Sequence, residues 1–156
     1  MSPDRTLIPG GHIRILIIPG HDPVGDWMAS VVQSEADMLL LGLARNLESA
    51  LETVDKLAPD VVLVDIASGI LEHTELLNRL SAPASACAII VVAMSNEVDL
   101  VRQAMLVGAQ GFLLKPFGET DLLSSVRQAY ELVTQRRSQM EKIPSAHETG
   151  TRRRVE

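Results

Sequence analysis

The stretch Pro59-Asp-Val-Val-Leu-Val-Asp-Ile66 (PDVVLVDI) decides how this chain folds. A proline and an acid open it, four aliphatic residues follow, and Asp65 stands near its end. A short apolar run between breakers suits a strand covered on both faces, as in a parallel sheet. Its neighbours repeat the pattern. Before it, Asn46 is placed to cap a helix carrying Leu47, Ala50, Leu51, Val54 and Leu57 on one side. Earlier runs are Ile13–Ile18 (IRILII) and Met38–Leu43 (MLLLGL), and between them Val24, Trp27, Met28, Val31 and Val32 fall at helical spacing.

After it, a helix is expected at about Ile70–Leu80, then a strand at Ala88–Ala93 (AIIVVA). A helix capped by Asn96 and ended by Gly108 comes next, then a strand at Gly111–Leu114. A last helix begins near Glu119 with Leu122, Leu123, Val126, Ala129, Tyr130 and Val133 on one face. Strands and helices therefore alternate five times. Strict β–α alternation predicts an α/β fold, a doubly wound five-stranded parallel sheet with helices on both faces. Ligands of such sheets bind beyond the C-terminal ends of the strands, here the loops after Ile18, Asp65, Ala93 and Leu114.

The composition narrows the functional classes. The chain has 156 residues, 46% of them hydrophobic, and one cysteine, Cys87, which cannot staple the fold internally. Cys87 reads as a buried small hydrophobe, and a reducing, cytoplasmic setting is expected. The longest apolar run, Ala86–Met94, is too short to span a membrane. The net charge of −6 divides into −9 over residues 1–134 and +3 over residues 135–156. An acidic body with few aromatics argues against nucleic-acid binding by the folded part. The expected organisation is a flexible leader over 1–12, one domain over 13–137, and a basic linker or tail over 138–156. Met28, Met38, Met94 and Met105 are expected on core faces.

Three segments resemble the receiver domain of bacterial response regulators. PDVVLVDI (59–66) is similar to the family's third strand, SNEVDLVRQAMLVGA (95–109) to its fourth helix, and GAQGFLLKPF (108–117) to its fifth strand and the Lys-Pro turn after it. The resemblance implies a flavodoxin-like strand order of 2-1-3-4-5. It places Asp65 at the phosphoacceptor position, Lys115 at the phosphate-pairing position before a cis proline, and Phe112 at the aromatic switch position. In the family, two acids directly after the first strand help to hold Mg²⁺, and a Thr or Ser ending the fourth strand binds the phosphoryl group.

Here the resemblance is incomplete. Pro19 and Gly20 stand where the acidic pair belongs, and Ala93 stands where the Thr or Ser belongs. Asp22 and Ser95 lie close by in shifted positions. With one carboxylate of three in place, Mg²⁺ binding is expected to be weak or absent, no cofactor is implied, and Lys115 is expected to pair directly with Asp65. His21–Asp22 lacks the further ligands of a metal centre. No phosphate-loop, dinucleotide or nucleophile–base motif is present, so no catalytic residue is assigned and the chain is not expected to be an enzyme.

The expectation is an atypical receiver that works as a protein-interaction or dimerisation module without phosphorylation. Its interface would be the face made by the fourth helix, fifth strand and fifth helix, near Leu100, Leu106 and Val107. The arrangement is similar to the receivers ahead of ParA/MinD-like ATPases in pilus assembly, which implies an ATPase domain following in a longer chain. The alternative is a working phosphorelay receiver phosphorylated on Asp65, using Asp22 and Ser95 in shifted roles.

Overall fold

A computed structural model describes residues 11–65, 78–80, 87–94, 98–106 and 108–147. In chain order it contains β1 (Ile13–Ile18), α1 (Val24–Gln33), β2 (Met38–Leu43), α2 (Leu47–Leu57), β3 (Val61–Asp65), β4 (Ala88–Met94), a helix over Val98–Leu106, β5 (Gly111–Lys115) and a C-terminal helix over Glu119–His147. The strands form one parallel sheet, as their alternation with helices predicts, in the order β2-β1-β3-β4-β5 that the resemblance implies. Of the helix expected at 70–80, residues 78–80 are helical and 70–77 lie outside the described residues. The leader at 1–10, Ala67–Gly69, Ser95 and Val107 also lie outside them, as do 148–156 of the expected tail.

Side-chain alternation along the strands separates two cores. Ile13, Ile15 and Ile17 of β1, Val61 and Leu63 of β3, and Ile90 and Val92 of β4 face one layer, where α1 supplies Met28 and Val32 and the C-terminal helix supplies Leu122, Val126 and Val133. Leu16 and Ile18, Val62 and Val64, and Ile89, Val91 and Ala93 face the other layer, with Ala50 and Val54 of α2 and Val101 and Ala104 of the Val98–Leu106 helix. The three central strands are buried almost throughout, while the edge strands β2 and β5 are partly open. Each fully buried Ile or Leu contributes about 1.5–3 kcal/mol, so these strands dominate the favourable side of folding.

Several local expectations are met. The Asn46 side chain accepts from the Ser49 amide at 2.8 Å and caps α2. Gly108 follows the Val98–Leu106 helix with φ 124°, a left-handed conformation that favours glycine. Cys87 is buried, and desolvation pushes its thiol up to about 12.

Others need correction. Met28 and Met38 are buried, but Met94 and Met105 are exposed by 49% and 37%. Both have the right periodicity; no neighbouring element among the described residues covers them. Separately, the C-terminal helix runs on to His147, into the stretch expected to be linker or tail. The apolar stripe does stop before that stretch, but Gln139, Met140, Glu141 and Lys142 are good helix formers that sustain a helix without one.

Arg137 fastens that helix to the sheet. Its Nη1 lies 2.9 Å from Oδ1 of Asp60, a fully buried carboxylate just before β3. Asp60 Oδ2 accepts from the Arg14 amide of β1 at 2.9 Å. Higher up the helix, Arg127 binds Asp37 through Nε and Nη2, both at 3.0 Å, and Glu35 through Nη2 at 2.8 Å. These contacts join the helix to the segment entering β2, and the guanidinium holds the Asp37 carboxyl below its ordinary value.

Candidate functional site

The C-terminal ends of β1, β3 and β5 converge on one cluster. Asp65 ends β3 and continues the parity of Val61 and Leu63; Lys115 ends β5 and continues the parity of Leu113. Alternation therefore puts both side chains toward the α1 layer, although β4 lies between their strands. Register sets Lys115 two residues beyond the level of Asp65, since Asp65 pairs with Val92, which faces Leu113, and Lys115 pairs with Met94. Lys115 Nζ spans the gap and meets Asp65 Oδ2 at 2.7 Å. Both side chains are almost completely withdrawn from water, at 1% exposure for Asp65 and 7% for Lys115. The peptide bond from Lys115 to Pro116 is cis.

A second carboxylate reaches the same ammonium. Lys115 Nζ donates to Asp22 Oδ2 at 2.8 Å, and Asp22 Oδ1 accepts from the Val24 amide at 3.2 Å. The loop after β1 thus folds back so that Asp22 returns to the pocket from beyond the turn. One ammonium bridges two carboxylates. Asp22 is held below its ordinary value, chiefly by its hydrogen bond to Lys115. Burial alone pulls the Lys115 ammonium down, but its bonds to Asp22 and Asp65 outweigh burial and leave it raised.

Pro19 and Gly20 occupy the first two positions after β1. A Cβ placed on Gly20 would lie 2.8 Å from Asp65 Cγ and 2.9 and 3.0 Å from its two carboxylate oxygens. The Asp65 carboxylate fills the space that any side chain at position 20 needs. Pro19 is buried, and a Cβ on Gly25 would fall 2.4 Å from its Cβ. Pro19 and Gly25 thus form a matched pair that seats α1 against the end of β1. Ala93 is buried and points, with its β5 partner Leu114, into the opposite layer. Phe112 shares the parity of Leu114 but stands 48% exposed at the sheet edge. Structure therefore brings Asp65, Lys115, Pro19 and Gly20 together and leaves Ala93 and Phe112 on the other face. Among the described residues, no three His, Cys, Asp or Glu side chains converge as a metal-binding group.

Two features escaped the sequence reading. In the sequence Asp22 stands displaced from the expected acidic pair, with a site role only in the phosphorelay alternative, and proline and glycine between it and β1 conceal how far it folds back. The buried Asp60–Arg137 link joins residues 77 positions apart, and Arg137 looks like part of a solvated basic run.

A second exposed feature lies along the β5 edge. Met105, Phe112 and Leu132 line a groove of about 260 Å³, and Leu106 beside them is 81% exposed. Among the described residues, no helix is long and apolar enough to cross a membrane.

The profile of the response regulator receiver domain matches residues 15–127. The chain is 30% identical over 115 residues to the nitrate/nitrite response regulator protein NarL of Escherichia coli K12, which spans 74% of this chain and 53% of that protein. It therefore spans about half the length of that curated relative. Among solved structures, it resembles the response regulator domain of Thermotoga maritima CheB, with 26% identity and a TM-score of 0.63 over 77% of this chain and 97% of that one. It also resembles the signal receiver domain of a modulated diguanylate cyclase from Desulfovibrio desulfuricans G20, with 28% identity and a TM-score of 0.66 over 78% and 95% of the two chains.

Proposed function

The chain belongs to the response regulator receiver family and is a receiver domain of two-component signalling; from that premise, we propose that it is an atypical receiver that acts without Mg²⁺-dependent phosphorylation. The observation that carries this reading is the Lys115 ammonium held between Asp65 and Asp22, at 2.7 and 2.8 Å. The family's divalent ion does not fit this donor set. Pro19 and Gly20 offer no side-chain oxygen, and the two carboxylates present already share a cation. Mg²⁺ asks for near-octahedral oxygen ligation, and an ammonium between its would-be ligands opposes it by like charge. Ala93 likewise offers no hydroxyl to a phosphoryl group.

Asp65 and Lys115 in this reading are a retained acceptor-position pair turned into an internal ion pair. Phe112 keeps the switch position but has no hydroxyl at residue 93 to follow.

What remains for such a domain is contact with proteins. The apolar groove of Met105, Phe112 and Leu132, with Leu106 beside it, supports a homodimer formed through the Val98–Leu106 helix, β5 and the C-terminal helix. The side chain of Leu100, also expected there, lies outside the described ones. A longer protein carrying an ATPase after this domain, as in pilus-assembly proteins, is the setting proposed for it, in the cytoplasm. Light scattering tests the reading: a dimer mass is expected whether or not acetyl phosphate and Mg²⁺ are present. Leu106→Ser with Phe112→Ser should return the chain to a monomer. A monomer at high concentration that dimerises only with acetyl phosphate and Mg²⁺ would favour the phosphorelay alternative.

A further inference from the structure

Beside the carboxylate–ammonium cluster lies a cleft of about 470 Å³. That volume falls in the range of small-molecule sites, which are mostly apolar with a few placed polar groups. Trp27, Met94, Pro116 and Phe117 form apolar walls, and Asp22 and Lys115 form the polar end. The Trp27 and Phe117 rings meet edge to face, with centroids 5.7 Å apart and planes at 62°. Trp27 is 38% exposed and Met94 49%, so two large apolar side chains face the cleft instead of the core.

The sign of the polar end follows from exposure. The Lys115 side chain is 7% exposed and the Asp22 side chain 40%, so the carboxylate meets the solvent side. Asp22, Asp65 and Lys115 together carry one net negative charge. The Val24 amide on Asp22 Oδ1 fixes how that carboxylate is presented. Trp27, which lines the same cleft, carries an indole ring of the kind that attracts cations as well.

We propose that this cleft binds a small organic cation with a planar apolar body, such as an aromatic amine or amidine. Its charged head would rest on Asp22 and its ring against Trp27 and Phe117. Asp65 is not part of the lining, so the proposal stands whether or not that residue accepts phosphate.

Trp27 is the single tryptophan of the chain and reports directly on the cleft. Benzamidine titrated into the whole chain should change its emission saturably, and benzoate, of the same shape and opposite charge, should not. Asp22→Asn should weaken benzamidine binding by about tenfold or more, the factor equivalent to 1.4 kcal/mol. Asp65→Asn removes the same charge from outside the lining and should change affinity by less than about threefold, under 1 kcal/mol. The proposal is overturned by an equal response to benzoate, by no saturable response to benzamidine, or by Asp22→Asn and Asp65→Asn behaving alike.

Discussion

Asp60 and Asp65 flank the same strand, are both fully buried, and both meet a cation, yet they are held differently. Asp60 is gripped by the Arg14 backbone amide and by a guanidinium from the C-terminal helix, each at 2.9 Å. Its two partners come from segments far apart in the chain, β1 and the C-terminal helix, which makes it a rivet. Asp65 meets a lysine at 2.7 Å, and that lysine is shared with Asp22 from a loop. An ammonium on a flexible stem is a point charge that can be redirected, whereas a guanidinium fork is a fixed geometry. Burial alone therefore does not tell the two carboxylates apart; the kind of cation each one meets does.

The comparison breaks first at Asp60. Asp60→Ala leaves the Arg137 charge and the Arg14 amide without their acceptor, and should cost about 3–5 kcal/mol in urea unfolding. A loss under 1 kcal/mol would mean that the rivet is no more than a surface pair. Lys115→Met should cost about 3 kcal/mol at neutral pH, because Asp65 keeps its burial and loses its cation. Adding Asp65→Asn should recover most of that loss, a coupling that a double-mutant cycle measures directly.

The packing beneath the site predicts a smaller effect. Gly25→Ala should destabilise by about 1–3 kcal/mol through overpacking on Pro19. Pro19→Ala should not relieve it, since the clashing atom is the Pro19 Cβ, which alanine retains; Pro19→Gly should.

The smallest effect is that of pH. Asp22 is lowered below 3.8, so its contribution is complete above that value and disappears as pH falls through the lowered one. Lys115 is raised above 10.5, so its contribution is complete below that value and disappears as pH rises through the raised one. Because Asp22 is 40% exposed, water screens its share to about 1 kcal/mol or less. Chemical denaturation across pH should show Asp22→Asn flattening the acid limb and weakening the alkaline limb as well, since Asp22 is one of the two groups that raise Lys115.

Much of this was legible in the sequence. The apolar runs are nearly continuous because the central strands are covered on both faces, so strand order and the placement of Asp65 and Lys115 follow from alternation and family resemblance. Pro19, Gly20 and Ala93 are departures visible as residue identities. What alternation could not reveal is the path of a loop. Only the turn over Pro19–Pro23 decides that Asp22 reaches Lys115, and only tertiary packing decides that Arg137 reaches Asp60. Met94 and Met105 mislead for a related reason: periodicity reports which way a residue faces, not whether anything covers it.

The most direct test of the central claim is intact-mass measurement of the whole chain after incubation with acetyl phosphate and Mg²⁺. The account predicts no phosphoryl adduct, with Asp65→Asn indistinguishable from the native chain. A stoichiometric adduct that disappears in Asp65→Asn would contradict it.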